Sequence, residues 1–359
     1  MATPQLGQYV RMLDIDAGGK HSDWFYRVHW VLPQRLPSLI HVTYARLPVL
    51  HSSFFILPCR FDKIISLEFR ISEEQSFREV VRILNRFTKL QKLVIKGYKA
   101  GSFFCRDLHD QEGLLSVDIC GVSRYTPTSV DDVCHWLTKK LPPRSLNWLT
   151  LRLDNRYTSS RYVRELLVMH SETMKRLEIT IGLFDLKKRP NDLGIEDMCS
   201  VLPSTNLEEF SITFEDKFAK PQVLALLVTS FLSSLPRSIC RIALGHASWG
   251  KMLGSLPLVA DSPIGRFWSA IDSTLANPIF SKLTHVELHF SNFSLRPFKQ
   301  ELVELQQGGI FQKLFQRSKI HDRGILWYSR SDFTLSVLAP TDPQNWVHQD
   351  CVFKSPFRF

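Results

Sequence analysis

The chain has 359 residues, 44% of them hydrophobic and 22% charged, a balance that excludes disordered and fibrous classes and leaves ample length for a buried core. The densest apolar run, Val223 to Val228, is far shorter than the roughly 20 residues that cross a bilayer, and the opening MATPQLGQYVR lacks the apolar centre of a signal peptide; a cytoplasmic or nuclear protein is expected. The formal charge of +10 favours anionic partners, but the basic residues are dispersed, in runs no longer than Lys139-Lys140 and Lys187-Lys188-Arg189, which is a weak nucleic-acid footprint.

From the N-terminus onward, one apolar pattern, h-x-x-h-x-h, recurs. It begins at Val10, Leu13, Ile15; then Leu39, Val42, Tyr44; then Ile64, Leu67, Phe69; then Leu90, Leu93, Ile95; then Leu114, Val117, Ile119. It continues at Leu146, Leu149, Leu151; Met174, Leu177, Ile179; Leu207, Phe210, Ile212; Ile239, Ile242, Leu244; and Leu283, Val286, Leu288. The spacing is roughly 24 to 33 residues for most steps, near the period of leucine-rich repeats, and roughly 44 for the last. In each unit the last two apolar positions alternate with polar ones, as a strand with one buried face requires.

Segments of helical period lie between the strands. Phe77, Val80, Val81, Leu84 and Phe87 form one stripe, and Val130, Val133, Cys134, Leu137 and Leu141 another. Ser72 with Gln75 reads as a capping box, Ser129 precedes two acids at a helix start, and Lys139, Lys140 and Pro142-Pro143 mark its end. Further helices are expected near residues 162–170, 222–232, 265–275 and 299–307. The fold class is therefore α/β: an irregular leucine-rich-repeat solenoid, or horseshoe, with a curved parallel sheet and helices on the convex side. Residues 1–339 are expected to form a single solenoid of about ten repeats with an insertion near 246–275, and 340–359 a C-terminal tail. The asparagine or cysteine that usually follows the last leucine of a repeat is replaced here by Tyr98, Val122, Asp154, Gly182 and Glu215.

Catalytic and metal motifs are not found. The seven cysteines are scattered with no CxxC pair, and neither the group Cys105, Asp107, His109, Asp110 nor Cys134-His135 has the second ligand pair a zinc site requires. There is no GxSxG, P-loop, GxGxxG or HExxH. Asp14 and Asp16 share one strand face as paired carboxylates would, or as solvated acids do. No enzyme activity and no cofactor is expected.

The stretches Ile15 to Phe61, Phe77 to Gly97 and, more faintly, Leu275 to Phe290 resemble fungal F-box proteins with leucine-rich-repeat-like C-terminal regions. In that family the F-box binds a Skp1-type adaptor and the repeats present substrates to a ubiquitin ligase. Only nine residues precede Val10, so the resemblance implies the substrate-recognition region alone, or a remnant lacking the F-box and its adaptor link.

Strand alternation selects a candidate partner-binding face. It comprises Lys92 and Lys96; Trp148 and Arg152; Arg176 and Glu178; Glu209; and His285, Glu287 and His289, with Val94 among the same set. Trp148, Arg152 and Arg176 are the residue types that most often anchor protein interfaces. A protein-binding scaffold is the first reading. A basic nucleic-acid-binding solenoid is the alternative, opposed by the intervening Glu178, Glu209 and Glu287.

Overall fold

The computed structural model describes residues 6–16, 35–45, 63–71, 84, 87, 89–97, 115–120, 130–154, 160–182, 195–214, 221–246, 263–283, 285–290, 324–329 and 333–337. The chain falls into two compact units, residues 1–152 and 153–359.

In the first unit, strands β1 (Met12–Asp16), β2 (His41–Ala45), β3 (Ser66–Ile71), β4 (Lys92–Gly97), β5 (Leu115–Cys120) and β6 (Leu146–Asp154, whose last two residues belong to the second unit) lie in chain order, and helix α1 (Val130–Lys140) precedes β6. Each strand pairs in parallel with the next. The second unit holds α2 (Ser160–Met169), β7 (Arg176–Gly182), α3 (Ile195–Val201), β8 (Glu209–Phe214), α4 (Pro221–Ser233), β9 (Arg241–His246), α5 (Pro263–Leu275), β10 (His285–Phe290), β11 (Gly324–Ser329) and β12 (Phe333–Val337). Strands β7 to β11 follow in order, parallel in every pairing between neighbours, and β12 closes antiparallel on β11. This is a mixed α/β protein with parallel sheets.

Eight of the strands β1 to β10 begin two residues after the first apolar position of their repeat, while β5 begins one residue after Leu114 and β6 at Leu146 itself. That first position is buried in Leu39, Ile64, Leu146, Met174, Leu207, Ile239 and Leu283. The two strand positions stack in register: Val42, Leu67, Leu93, Val117 and Leu149 form one row, and Leu177, Phe210, Ile242 and Val286 the corresponding row of the second unit. All nine are buried, each contributing about 1.5–3 kcal/mol of gross hydrophobic stabilisation. Tyr44 stacks on Phe69 at 5.5 Å, and Phe210 meets Phe231 of α4 at 5.9 Å, so aromatic contacts join strand to strand and strand to helix.

The main chain repeats one junction just before the strands. Ile40 and His41 both donate their N–H to the Arg11 carbonyl at 3.0 Å; Ile65 and Ser66 donate to Ile40; Gln91 and Lys92 donate to Ile65. In the second unit Glu208 and Glu209 donate to Lys175, and Cys240 and Arg241 to Glu208. Each carbonyl uses both lone pairs, and one relay position is carried from repeat to repeat. Side chains reinforce it: Asn206 Nδ2 donates to the Glu172 carbonyl at 2.9 Å and Ser238 Oγ to the Leu207 carbonyl at 2.6 Å. Polar anchoring is thus placed before the strands, where the expected asparagine ladder would have stood after them. At the first junction Gly7, in a single 3-10 turn (Leu6–Gln8), sits where a Cβ would lie 2.0 Å from the Arg35 carbonyl oxygen, so only glycine admits this approach.

Helix expectations for 162–170, 222–232 and 265–275 correspond to α2, α4 and α5, the last within the expected insertion. Most of the 77–87 stripe, the 299–307 segment, Ser72, Gln75 and the tail 340–359 lie outside the described residues. Helix α1 ends in exposed Lys139 and Lys140 ahead of the two prolines, a cationic last turn at the negative end of the dipole. Helix α3 and strands β11 and β12 were not expected. The seven-residue α3 carries only Ile195, Met198 and Val201 as a buried stripe, and β11 lacks an apolar residue at the first repeat position, Asp322.

His170 closes α2. Its carbonyl accepts from the Thr173 N–H at 3.0 Å, the Met174 N–H at 2.8 Å and the Thr173 hydroxyl at 3.3 Å. A helix C-terminus favours a cation by about 0.3–1 kcal/mol, yet the imidazole is fully buried and desolvation holds its pKa down at about 4. Burial wins here.

Two outcomes follow from these contacts. Replacing Asn206 by Ala removes the side-chain bond and is expected to lower unfolding free energy by about 1 kcal/mol, read from urea midpoints. His170 is neutral when folded and binds a proton near pH 6.5 when unfolded, so its contribution is complete above 6.5 and lost as pH falls toward 4. The expected loss between pH 7 and 4.5 is about 2–3 kcal/mol in wild type relative to His170→Phe; equal pH dependence of both proteins would refute it.

Candidate functional site

Because the buried positions alternate with the others, each strand from β1 to β10 offers three positions on its opposite face. In the first unit these positions align as rows. The first holds Met12, His41, Ser66, Lys92, Ser116 and Trp148; the second Asp14, Thr43, Glu68, Val94, Asp118 and Thr150; the third includes Asp16, Ala45, Arg70, Lys96 and Cys120, with Arg152 at the matching position of β6. Asn147 has no partner on β5, since Leu115 pairs with Leu146 and Ser116 with Trp148. That single-residue bulge re-aims β6 so that Trp148 joins the first row.

Four positions of the middle row are buried, while Asp14 on β1 is exposed. Thr43 is 3% exposed, Glu68 9%, Val94 1% and Thr150 8%, so the expectation that Val94 faces solvent with its neighbours is corrected. The outer rows supply the reason at several places, because their long side chains fold inward and bond to the middle one. His41 meets the Thr43 hydroxyl at 3.2 Å and the Ser66 hydroxyl at 2.7 Å; Arg70 Nε donates to Glu68 Oε1 at 2.9 Å; Trp148 Nε1 donates to Thr150 Oγ1 at 3.0 Å. The indole therefore lies along its own strand, half-buried, with its N–H satisfied. Fixing an aromatic ring before any partner arrives reduces the ordering cost of binding.

Lys92 is half-buried in the same row as Trp148, two strands away, a separation of about 10 Å at the usual strand spacing. Arg152, also half-buried, lies four residues along β6, about 13 Å from Trp148. Lys96 is in register with Arg70 and Cys120, and its side chain lies outside the described residues.

In the second unit Arg176, Glu178 and Glu209 come together. Arg176 Nε donates to Glu178 Oε1 at 2.7 Å, its Nη2 contacts the same oxygen, and Nη1 lies 3.1 Å from Glu209 Oε2. One residue before the strands, Lys175 Nζ meets Glu208 Oε1 at 2.5 Å, a second pair spanning the same two repeats. Arg176 is thus an internal clamp between β7 and β8, where the sequence suggested a free interface anchor. His285, Glu287 and His289 occupy β10 in register with Arg241, Ala243 and Gly245; their side chains lie outside the described residues.

His41 was not among the expected site residues, although its place at the head of β2 matches that of Lys92 and Arg176. Its bond to Ser66 pairs a base with a hydroxyl, but the second ring nitrogen meets Thr43 where a hydrolase triad places a carboxylate. Asp14 and Asp16 are exposed on β1. Burial raises the thiol pKa values of Cys199 and Cys240, and in Cys240 nearby Glu209 and Glu208 raise it further, keeping both in the weakly nucleophilic protonated form. Among the described residues no group of three or more His, Cys, Asp or Glu side chains is placed to hold a metal ion. Cys105, Asp107, His109 and Asp110 lie outside them. No described helix is long and apolar enough to cross a membrane.

Compared with known proteins, the chain matches no family model and no curated protein.

The Arg176 clamp is half-exposed, so its strength should be modest. A double-mutant cycle over Arg176→Ala and Glu209→Ala is expected to give a coupling of about 0.5–1 kcal/mol that shrinks in about 1 M salt; a coupling indistinguishable from zero at low salt would remove the clamp.

Proposed function

We propose that the chain is a non-enzymatic leucine-rich-repeat-like solenoid whose open strand face binds another protein. The observation that carries this reading is the set of long side chains on the opposite-face positions of the first unit, His41, Arg70 and Trp148, held in place by hydrogen bonds to the middle row. Such a surface offers pre-set polar contacts, an aromatic anchor in Trp148 and cations in Lys92 and Arg152. The resemblance to fungal F-box proteins adds a biological frame: the substrate-recognition region of a ubiquitin-ligase receptor, or its remnant, acting in cytoplasm or nucleus. Any Skp1-type adaptor would then be engaged through a segment other than these repeats. Nucleic-acid binding is less well supported, because Arg176 is already committed to Glu178 and Glu209.

The test is affinity capture from native lysate with wild type and a Lys92→Glu, Trp148→Ala, Arg152→Glu variant. Arg176 is left intact, since a third carboxylate beside Glu178 and Glu209 would disturb the sheet itself. Proteins specifically retained by wild type are expected to be lost from a variant with an unchanged circular dichroism spectrum. Recovery of the same set by both would contradict the assignment.

A further inference from the structure

We infer that the rim of the first unit, just ahead of its strands, is a peripheral contact surface for an anionic lipid bilayer. It is distinct from the strand-face residues on which the protein-binding reading rests.

The backbone junctions build the rim. Arg11, Arg35, Lys63 and Lys89 precede β1, β2, β3 and β4 in turn, and all four are exposed. Their repeats are tied side by side there. The Arg11 carbonyl accepts from Ile40 and His41, the Ile40 carbonyl accepts from Ile65 and Ser66, and Lys63 Nζ donates to the Pro37 carbonyl at 3.2 Å. Gly7 lets the Leu6–Gln8 turn close on the Arg35 carbonyl, which brings that turn to the same edge. One cation per repeat thus recurs at the strand spacing, over about 14 Å from β1 to β4, and exposed Lys139 and Lys140 extend the series ahead of β6.

Charge on this rim is not compensated. Arg11, Arg35, Lys89, Lys139 and Lys140 make no ion pair or side-chain hydrogen bond, and Lys63 meets only a neutral carbonyl. No Asp or Glu occurs among the described residues of the rim, 6–11, 35–40, 63–65, 89–91 and 139–145; Asp14 and Asp16 lie beyond Met12 on the strand itself. The equivalent positions of the second unit differ, because Lys175 is paired with Glu208 and Glu172 is exposed in the same turn as Lys175.

Apolar side chains stand out at the same edge. Tyr9 is 80% exposed, Met12 67% and Ile40 36%. The Ile40 N–H meets the Arg11 carbonyl, and Met12 is in register with His41, so these residues flank Arg11. Projecting apolar groups among unpaired cations call for a partner that is negatively charged and closes around them. A bilayer interface does both: headgroups meet the cations, the acyl boundary takes Met12 and Ile40, and the Tyr9 hydroxyl stays at headgroup level. A nucleic-acid strand supplies phosphates, but its bases gain from aromatic platforms, which Met12 and Ile40 do not offer. An acidic peptide gains from a recess that buries its own side chains, whereas these residues project.

The test is co-sedimentation of the full chain with vesicles of phosphatidylcholine alone or with about 30% phosphatidylserine, at about 0.1 M salt. Binding to the phosphatidylserine vesicles is expected to be at least about tenfold tighter, with most of the difference lost in about 0.5 M salt. The triple variant Arg11→Gln, Arg35→Gln, Lys89→Gln should weaken that binding about tenfold or more, and Tyr9→Ser with Met12→Ser about fivefold or more. A charge-matched control, Arg164→Gln, Arg237→Gln, Lys282→Gln at exposed positions of the second unit, should stay within about twofold. All variants are compared at unchanged circular dichroism spectra.

Equal binding to both kinds of vesicle, or equal loss in the rim variant and its control, would overturn the inference. So would tighter binding to an oligothymidylate than to the phosphatidylserine vesicles, lost in the rim variant. The scaffold reading fails separately, when capture from lysate is insensitive to a triple variant that leaves this rim untouched.

Discussion

Everything in the arrangement depends on a pair of backbone hydrogen bonds made to one carbonyl just ahead of the strands. In the repeats that start at Leu39, Ile64 and Leu90, and again in those at Leu207 and Ile239, two successive N–H groups meet the carbonyl of the preceding repeat. The register between neighbouring strands is set at that junction. A slip of one residue would turn every buried aliphatic residue outward, so a fixed starting point is what lets a loosely spaced repeat keep its buried rows aligned within each unit. Loop length between the junctions is then free to vary, as the roughly 24 to 44 residue spacing shows.

The same register orders the opposite face. Because Lys92, Ser116 and Trp148 begin their paired stretches at equivalent positions, the large side chains line up in rows instead of scattering, and they bond to the shorter residues between them. In the second unit Arg176 with Glu178 and Glu209 is the tightest case, its charges spent on holding β7 to β8.

Much of this was legible from residues alone. Ten strands were marked by h-x-x-h-x-h, because a buried alternation of Leu, Ile, Val and Phe has a period no helix shares; α1 was marked by its stripe and stop signals, and α2, α4 and α5 were expected as helical ranges. What was not legible had local physical causes. Helix α3 has only seven residues, and its stripe of three does not stand out from its surroundings in sequence, β11 lacks the leading apolar residue, and β12 is antiparallel, outside the repeat logic. Within the site, the positions of Lys92, Trp148 and Arg152 could be read from alternation, but the commitment of Arg176 to two carboxylates and the burial of Val94 depend on which rotamers neighbouring strands select. Alternation assigns a face to a residue without measuring its exposure.

Amide hydrogen exchange, read at single-residue resolution on the isolated chain, tests the junction itself. The N–H groups of Ile40, His41, Ile65, Ser66, Gln91, Lys92, Glu208, Glu209, Cys240 and Arg241 should be protected by roughly a thousandfold or more, as amides that open only with the surrounding sheet are. Exchange of these ten amides at the rate of an unstructured peptide, with protection confined to the helices, would contradict the account.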